Sequence, residues 1–256
     1  MLFRIMAIAK NAFREEIRRK ILYIFLLASI VIILSGKFFN FIAPSQESKI
    51  MIDMSLAGIL FFGMLIAIFS CGQMIPSEIE RKTIISIFSK PVKKWEFILG
   101  KFLGGIMIVF LNLLLMSAVF LVLLYLKEKT IPFDLVKVLY LTSLELAVLS
   151  SIAVFISTLS VNTSFNVTVT FSLYVIGHLT DYFVHIARQI DNEFVSIALS
   201  MLYTALPNFN NFNLRDKLIE GFTIPSLLVA QVSLYAAVYV TIMLVLSYCL
   251  FRDKEF

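Results

Sequence analysis

Six stretches of this sequence, residues 21–39, 52–75, 102–126, 138–159, 165–186 and 227–251, are apolar almost throughout. At 1.5 Å per residue, a helix needs about 20 residues to cross the ~30 Å hydrocarbon core of a bilayer, and each stretch is close to that length or beyond it. Hydrocarbon offers no water to backbone N–H and C=O groups, so such runs cross as helices whose hydrogen bonds are internal. The fold class expected is an all-α integral membrane protein with six transmembrane helices, forming one domain over residues 1–256. Composition agrees: 60% of the residues are hydrophobic, against roughly 45–50% in soluble domains, and mean hydropathy is +0.93. Ile42, Ala43 and Pro44 make a poor cleavage site, so the first run is expected to remain as an anchor.

Charge sets the orientation. Of the 22 Lys and Arg residues, 14 fall on the side of both termini and of residues 76–101, and 8 on the other, which places the former side in the cytoplasm. The net charge of +5 sits beside membrane spans rather than on a soluble face, so no nucleic-acid partner is expected. Cys71 and Cys249 lie inside apolar runs and read as packing residues, not as a disulfide. Gly100-Lys101 is followed by Phe102, not Ser or Thr, and no phosphate-binding G-x-x-x-x-G-K-[ST] occurs. The chain is therefore expected not to bind ATP itself by that motif; no cofactor or metal is expected on it, and because Glu145 and His178 have no obvious third partner it is not expected to be an enzyme.

Residues 76–101 form the longest water-compatible segment on the inner side. Ser77 has Glu80 three residues on, the pattern of a capping box, so a helix is expected to start there. Ile79, Thr83, Ile84, Ile87 and Phe88 then recur at helical spacing as an apolar stripe expected to face a partner, opposite Glu78, Arg81, Lys82 and Ser89. Pro91 ends that helix, and a second one restarts near Trp95, which with Lys93, Lys94 and Lys101 has the make-up of an interfacial anchor. Gly100 and Gly104 have the G-x-x-x-G spacing and are expected to allow close helix packing, as are Gly58, Gly63 and Gly72.

The run Glu78-x-Glu80-x-x-Thr83, followed by Ile87-Phe88-Ser89-Lys90-Pro91 and Glu96-Phe97-Ile98-Leu99-Gly100-Lys101, resembles the cytoplasmic loop of ABC-2-type permeases. These are the membrane subunits of one class of ATP-binding-cassette (ABC) transporters. Lys82 stands where that family usually has Gly. The resemblance implies that the loop carries a coupling helix seated on a separate ATP-binding-cassette subunit, which would hold ATP and Mg. Carried onto this sequence, the coupling residues are Glu78, Glu80, Arg81, Thr83, Ile84, Ile87, Phe88 and Pro91. It further implies an exporter in the cytoplasmic (inner) membrane that works by alternating conformations, and a second permease copy, as a homodimer or with a paralogue.

Residues 1–20 are too polar to span. Leu2, Ile5, Met6, Ala9, Phe13 and Ile17 gather on one side of a helical wheel, and Arg4, Lys10, Asn11, Arg14, Glu15 and Arg18 on the other, so an elbow helix is expected along the membrane surface. Glu145 stands about two turns inside the fourth run. An ionisable group at such depth faces the bundle or a cavity, which makes it a candidate for substrate or ion contact, the alternative being a protonated or paired carboxylate. An ion-coupled secondary transporter using Glu145 is thus the competing function, although internal repeats and broken helices are absent. Asp53 is expected at the outer interface. His178, Asp181 and His185 share a helical face, yet no companion cluster makes them a metal site. Residues 187–226 form the longest outer segment, with short helices expected near the apolar run 194–206; Asn208, Phe209 and Phe212 follow as candidate substrate or gate residues, the alternative being a packed cap.

Overall fold

The computed structural model describes residues 2–35, 47–89, 92–182, 203–204, 206–220 and 222–254. Among these the fold is all-helical, with no strand. The helices are α1 (Leu2–Ile17), α2 (Lys20–Ser35), α3 (Glu47–Glu80), α4 (Thr83–Phe88), α5 (Lys94–Glu128), α6 (Phe133–Leu159) and α7 (Thr163–His178). A 3-10 turn (Phe209–Phe212), α8 (Arg215–Ile219) and α9 (Ser226–Arg252) complete the described chain.

Among the described residues, four helices are long and apolar enough to cross a membrane: Ser48–Glu80, Lys94–Glu128, Phe133–Leu159 and Ser226–Arg252. The first and fifth expected spans are represented by α2 and α7, each 16 residues long as described, with flanking residues 36–46 and 183–202 outside the described set. The expected short helices around residues 194–206 and His185 fall largely or wholly outside it as well.

The central helix is α6, 78% of whose most apolar window is buried, whereas only 17% of that of α9 is. Most of the core lies between α3, α5, α6 and α9; a second apolar cluster closes the end of the bundle that carries α4. At 34 and 35 residues, α3 and α5 are about 50 Å long, well beyond the hydrocarbon thickness, and their adjoining ends are the ones joined through α4. Against those ends packs α1. A Cβ on Gly100 would lie 2.7 Å from Ile8 Cβ, and one on Gly104 would lie 2.6 Å from Ala12 Cβ and 2.7 Å from the Ala9 carbonyl oxygen. The G-x-x-x-G face of α5 therefore receives the elbow helix. Ile5, Ala9 and Ala12 are buried there, while Leu2, Phe3 and Met6, from the same amphipathic helix, stay exposed. Cys71 is buried, and its Sγ lies 2.7 Å from where a Cβ on Gly105 would be, a packing position as its sequence context implies.

No helix starts at Ser77. Instead α3 runs through Pro76 to Glu80, and the Ser77 hydroxyl donates back to the Met74 carbonyl (3.3 Å). Proline removes one backbone donor, freeing the carbonyl four residues earlier. That carbonyl, on Gly72, accepts from the Asn166 side-chain amide at the start of α7 (3.4 Å), so the helix continues without losing a bonded acceptor. The chain breaks at Lys82, whose φ of 56° is left-handed. A capping arrangement does occur at the next helix start: the Glu96 carboxylate accepts from the Lys93 backbone N–H (3.0 Å).

Candidate functional site

The left-handed turn at Lys82 folds α4 back so that Thr83, its first residue, meets Glu78 on the last turn of α3. The Thr83 hydroxyl hydrogen-bonds with Glu78 Oε2 and lies 3.2 Å from the Glu78 carbonyl oxygen. The other carboxylate oxygen, Oε1, lies 2.6 Å from the Lys101 ammonium on α5. Both oxygens of one carboxylate are thus engaged, and Glu78 joins three helices. The pair is buried, Glu78 being 6% and Lys101 1% exposed. Burying two charges costs several kcal/mol per ion unless they are paired and hydrogen-bonded, as they are here.

A second layer extends this clamp to the elbow helix. Glu15 on α1 lies 3.3 Å from Arg81, 3.8 Å from Arg19 and 3.9 Å from Lys101. Glu16, 1% exposed, accepts from the Ser70 hydroxyl (2.9 Å) and pairs with Arg19 (3.0 Å), which also donates to Gln73 (2.6 Å). Burial pushes the Glu16 carboxyl up to about 7, against the opposing pull of Arg19 and Ser70. Five segments meet in this network: α1, the α1–α2 junction, α3, α4 and α5.

The stripe expected to face a partner turns inward. Ile84 is buried in the second core cluster, and Ile79, Ile87 and Phe88 pack against it. The Phe88 ring lies 5.5 Å from that of Phe97 and 6.2 Å from that of Phe251, and Phe97 stacks on Phe251 at 5.6 Å. Six residues make too short a helix to hold an apolar face away from the open ends of α5 and α9, so that face closes the core. The outward surface is the complement, Glu80, Lys82 and Ile85, of which Ile85 is 55% exposed. Arg81 is exposed too but held by Glu15, and Pro91 falls outside the described residues.

At the opposite end of the bundle, Glu145 on α6 is 1% exposed and accepts from the Tyr174 hydroxyl on α7 (3.0 Å). His178 Nε2 lies 3.4 Å from the same carboxylate, and its ring stacks on Phe209 at 5.4 Å. Asp181 accepts amide N–H groups from Asn208 (2.7 Å) and Asn210 (2.8 Å), while the Asn208 backbone N–H donates to the Tyr235 hydroxyl (2.9 Å). Gly177 lets this cover close down, since a Cβ there would lie 2.6 Å from the Phe209 ring. Phe209 and Phe212 are fully buried, so residues 207–212 sit as a packed cover on the end of α7. Asp53 on α3 pairs with Arg215 on α8 (3.0 Å) nearby. Among the described residues no group of three or more His, Cys, Asp and Glu could hold a metal ion.

With the loop geometry in place, the comparison with known proteins is specific. The family described as ABC-2 family transporter protein matches residues 6–256. This chain belongs to the ABC-2 transporter family. No individual curated protein matches the chain. As an ABC-2 permease it is a multi-pass membrane protein and the membrane subunit of an ABC transporter, a kind of subunit that lacks the ATPase motif and normally works with an ATP-binding one. Of the residues in this ion network, the sequence marked Lys101 only as part of an interfacial anchor and Glu15 only as part of the polar face of the elbow helix, and it did not single out Glu16, Arg19 or Ser70. Lys101 carried a legible signal, a lone charge between Gly100 and Phe102 at the head of an apolar run. The others depend on how α1 docks, which no local pattern encodes.

Proposed function

We propose that this permease is an exporter subunit of six spans in the cytoplasmic (inner) membrane, with both termini in the cytoplasm, and that α4 is its coupling helix. Two copies, or this chain and a paralogue, would pair with two ATP-binding-cassette subunits that hold ATP and Mg. The observation that carries the reading is the Glu78 clamp, one buried carboxylate holding the start of α4 to α3 and to Lys101 on α5. A push on α4 from below is thereby passed to two long helices that run the depth of the bundle, rather than absorbed in a loose loop. Glu80, Lys82 and Ile85 supply the face that a cassette subunit would touch. At the far end the Phe209 cover, held through Asn208 to Asp181, suits a gate element that α7 carries with it.

The ion-coupled alternative through Glu145 has weaker support, because that carboxylate is sealed from solvent and engaged with Tyr174. Co-purification of the tagged chain in mild detergent tests the main reading. A cassette ATPase is expected to accompany the wild type and to be lost with Glu80→Ala combined with Ile85→Asp; an unaccompanied wild type that moves substrate with a proton gradient alone would favour Glu145.

A further inference from the structure

A cleft of about 580 Å³ opens beside the ion network, lined by Asn11, Arg14, Glu15, Arg18, Arg19 and Arg81. Four arginines against one glutamate leave it a net charge of +3. Two of the arginines are committed, Arg19 to Glu16 and Gln73, and Arg81 to Glu15. Arg14 and Arg18 are exposed, stand one helical turn apart, and make no side-chain hydrogen bond or ion pair among the described residues. Two uncommitted guanidinium groups converging on one cleft call for an anion, and their planar donor forks match phosphate oxygens.

Position identifies the source. The same helix exposes Leu2, Phe3 and Met6, at 78%, 86% and 60%, an apolar end that needs lipid rather than water. Arg18 is two residues ahead of α2, which begins at Lys20 and exposes Tyr23, Ile24 and Leu27 along its outer side. The cleft therefore lies where the chain passes from water to hydrocarbon, the depth at which headgroup phosphates stand. We infer that it is a binding site for the phosphate of an anionic phospholipid in the leaflet on the α4 side, with Arg14 and Arg18 as its principal ligands and Asn11 as an added donor. Bound there, the lipid would fix the elbow helix against α3 through Arg81, next to the coupling helix.

The purified full-length chain, exchanged into detergent with equal phosphatidylglycerol and phosphatidylcholine, tests this by native mass spectrometry. Wild type is expected to retain phosphatidylglycerol preferentially. Arg14→Gln and Arg18→Gln should each lower that retention about fivefold, the factor for ~1 kcal/mol per basic residue at an anionic surface. Lys10→Gln, on the same helix but outside the cleft, should leave it unchanged, and all variants should elute as the wild type does. Excess inorganic phosphate should fail to displace the lipid. Equal retention of both lipids, an equal fall with Lys10→Gln, or displacement by inorganic phosphate would each overturn the inference. So would arginine variants that keep their lipid but lose the ATP-binding subunit, an outcome that assigns the cleft to a protein partner.

Discussion

The Lys101 ammonium lies 2.6 Å from Glu78 although the two residues are 23 positions apart and on different helices, and neither reaches solvent to any useful extent. Removing one partner strands the other. Lys101→Met is expected to cost about 3–5 kcal/mol, the usual penalty for a buried charge left alone, and Glu78→Gln somewhat less because the amide still bonds Thr83. The double variant should recover part of the loss. Thermal unfolding in detergent of the two singles and the double gives the coupling energy, and strict additivity would mean the pair is not acting as a pair.

Gly100 and Gly104 are the contact that seats the elbow helix. Gly104→Val places new carbon 2.6 Å from Ala12 Cβ and against the Ala9 carbonyl, which no rotamer relieves. We expect α1 to lift away from α5, with a stability loss of about 1–3 kcal/mol as in other overpacked contacts. Spin-label distances between α1 and α5 should lengthen by several ångström. Gly72→Ala, where a Cβ meets nothing within 4 Å, is the matched control and should leave them as they are.

Glu16 makes the elbow sensitive to pH. Its carboxyl is raised from an ordinary 4.5 to about 7, mainly by burial. Between those values the folded protein holds a proton that the unfolded chain has released, so this group's contribution to stability falls as pH rises through that window and is level above it. The wild-type melting temperature should therefore decline from pH 5 to pH 8 more steeply than that of Glu16→Gln, which keeps an acceptor for Ser70. The expected difference is on the order of 2–3 kcal/mol across the window. Parallel curves would show that Glu16 does not titrate there.

Lys82 adopts φ 56°, a conformation that costs an L-residue about 1–2 kcal/mol and glycine almost nothing. Lys82→Gly is expected to stabilise the loop by up to about 1 kcal/mol, and Lys82→Val to destabilise it, both read by thermal unfolding. An unchanged melting temperature in both would mean that the turn does not constrain the fold.

Much of this arrangement was legible in the apolar runs. Residues 102–126 and 138–159 announce α5 and α6 because hydrocarbon requires length and apolarity together, and the Glu-x-Glu-x-x-Thr pattern located the loop. Its internal direction was not legible. Ser77 and Glu80 match a capping box, but a local pattern cannot register that Asn166, some ninety residues on, supplies the donor that lets α3 continue through Pro76. The Ile84 and Phe88 stripe has the right period for a docking face, yet period alone does not say whether an apolar face meets a partner or the protein's own Phe97 and Phe251. Glu145 was legible as an anomaly within a span, while its partners Tyr174 and His178 became evident only once α7 was packed beside α6.

The most direct test of the central claim is transmission through the Glu78 clamp. The permease with its ATP-binding subunit would be reconstituted, and ATPase activity and transport measured for wild type, Lys101→Met and Thr83→Val. If α4 passes force to α5 and α3 through Glu78, both variants should keep the ATP-binding subunit bound and hydrolysing ATP while transport falls at least tenfold. Transport that persists at wild-type levels in variants shown to have lost the clamp would contradict the account.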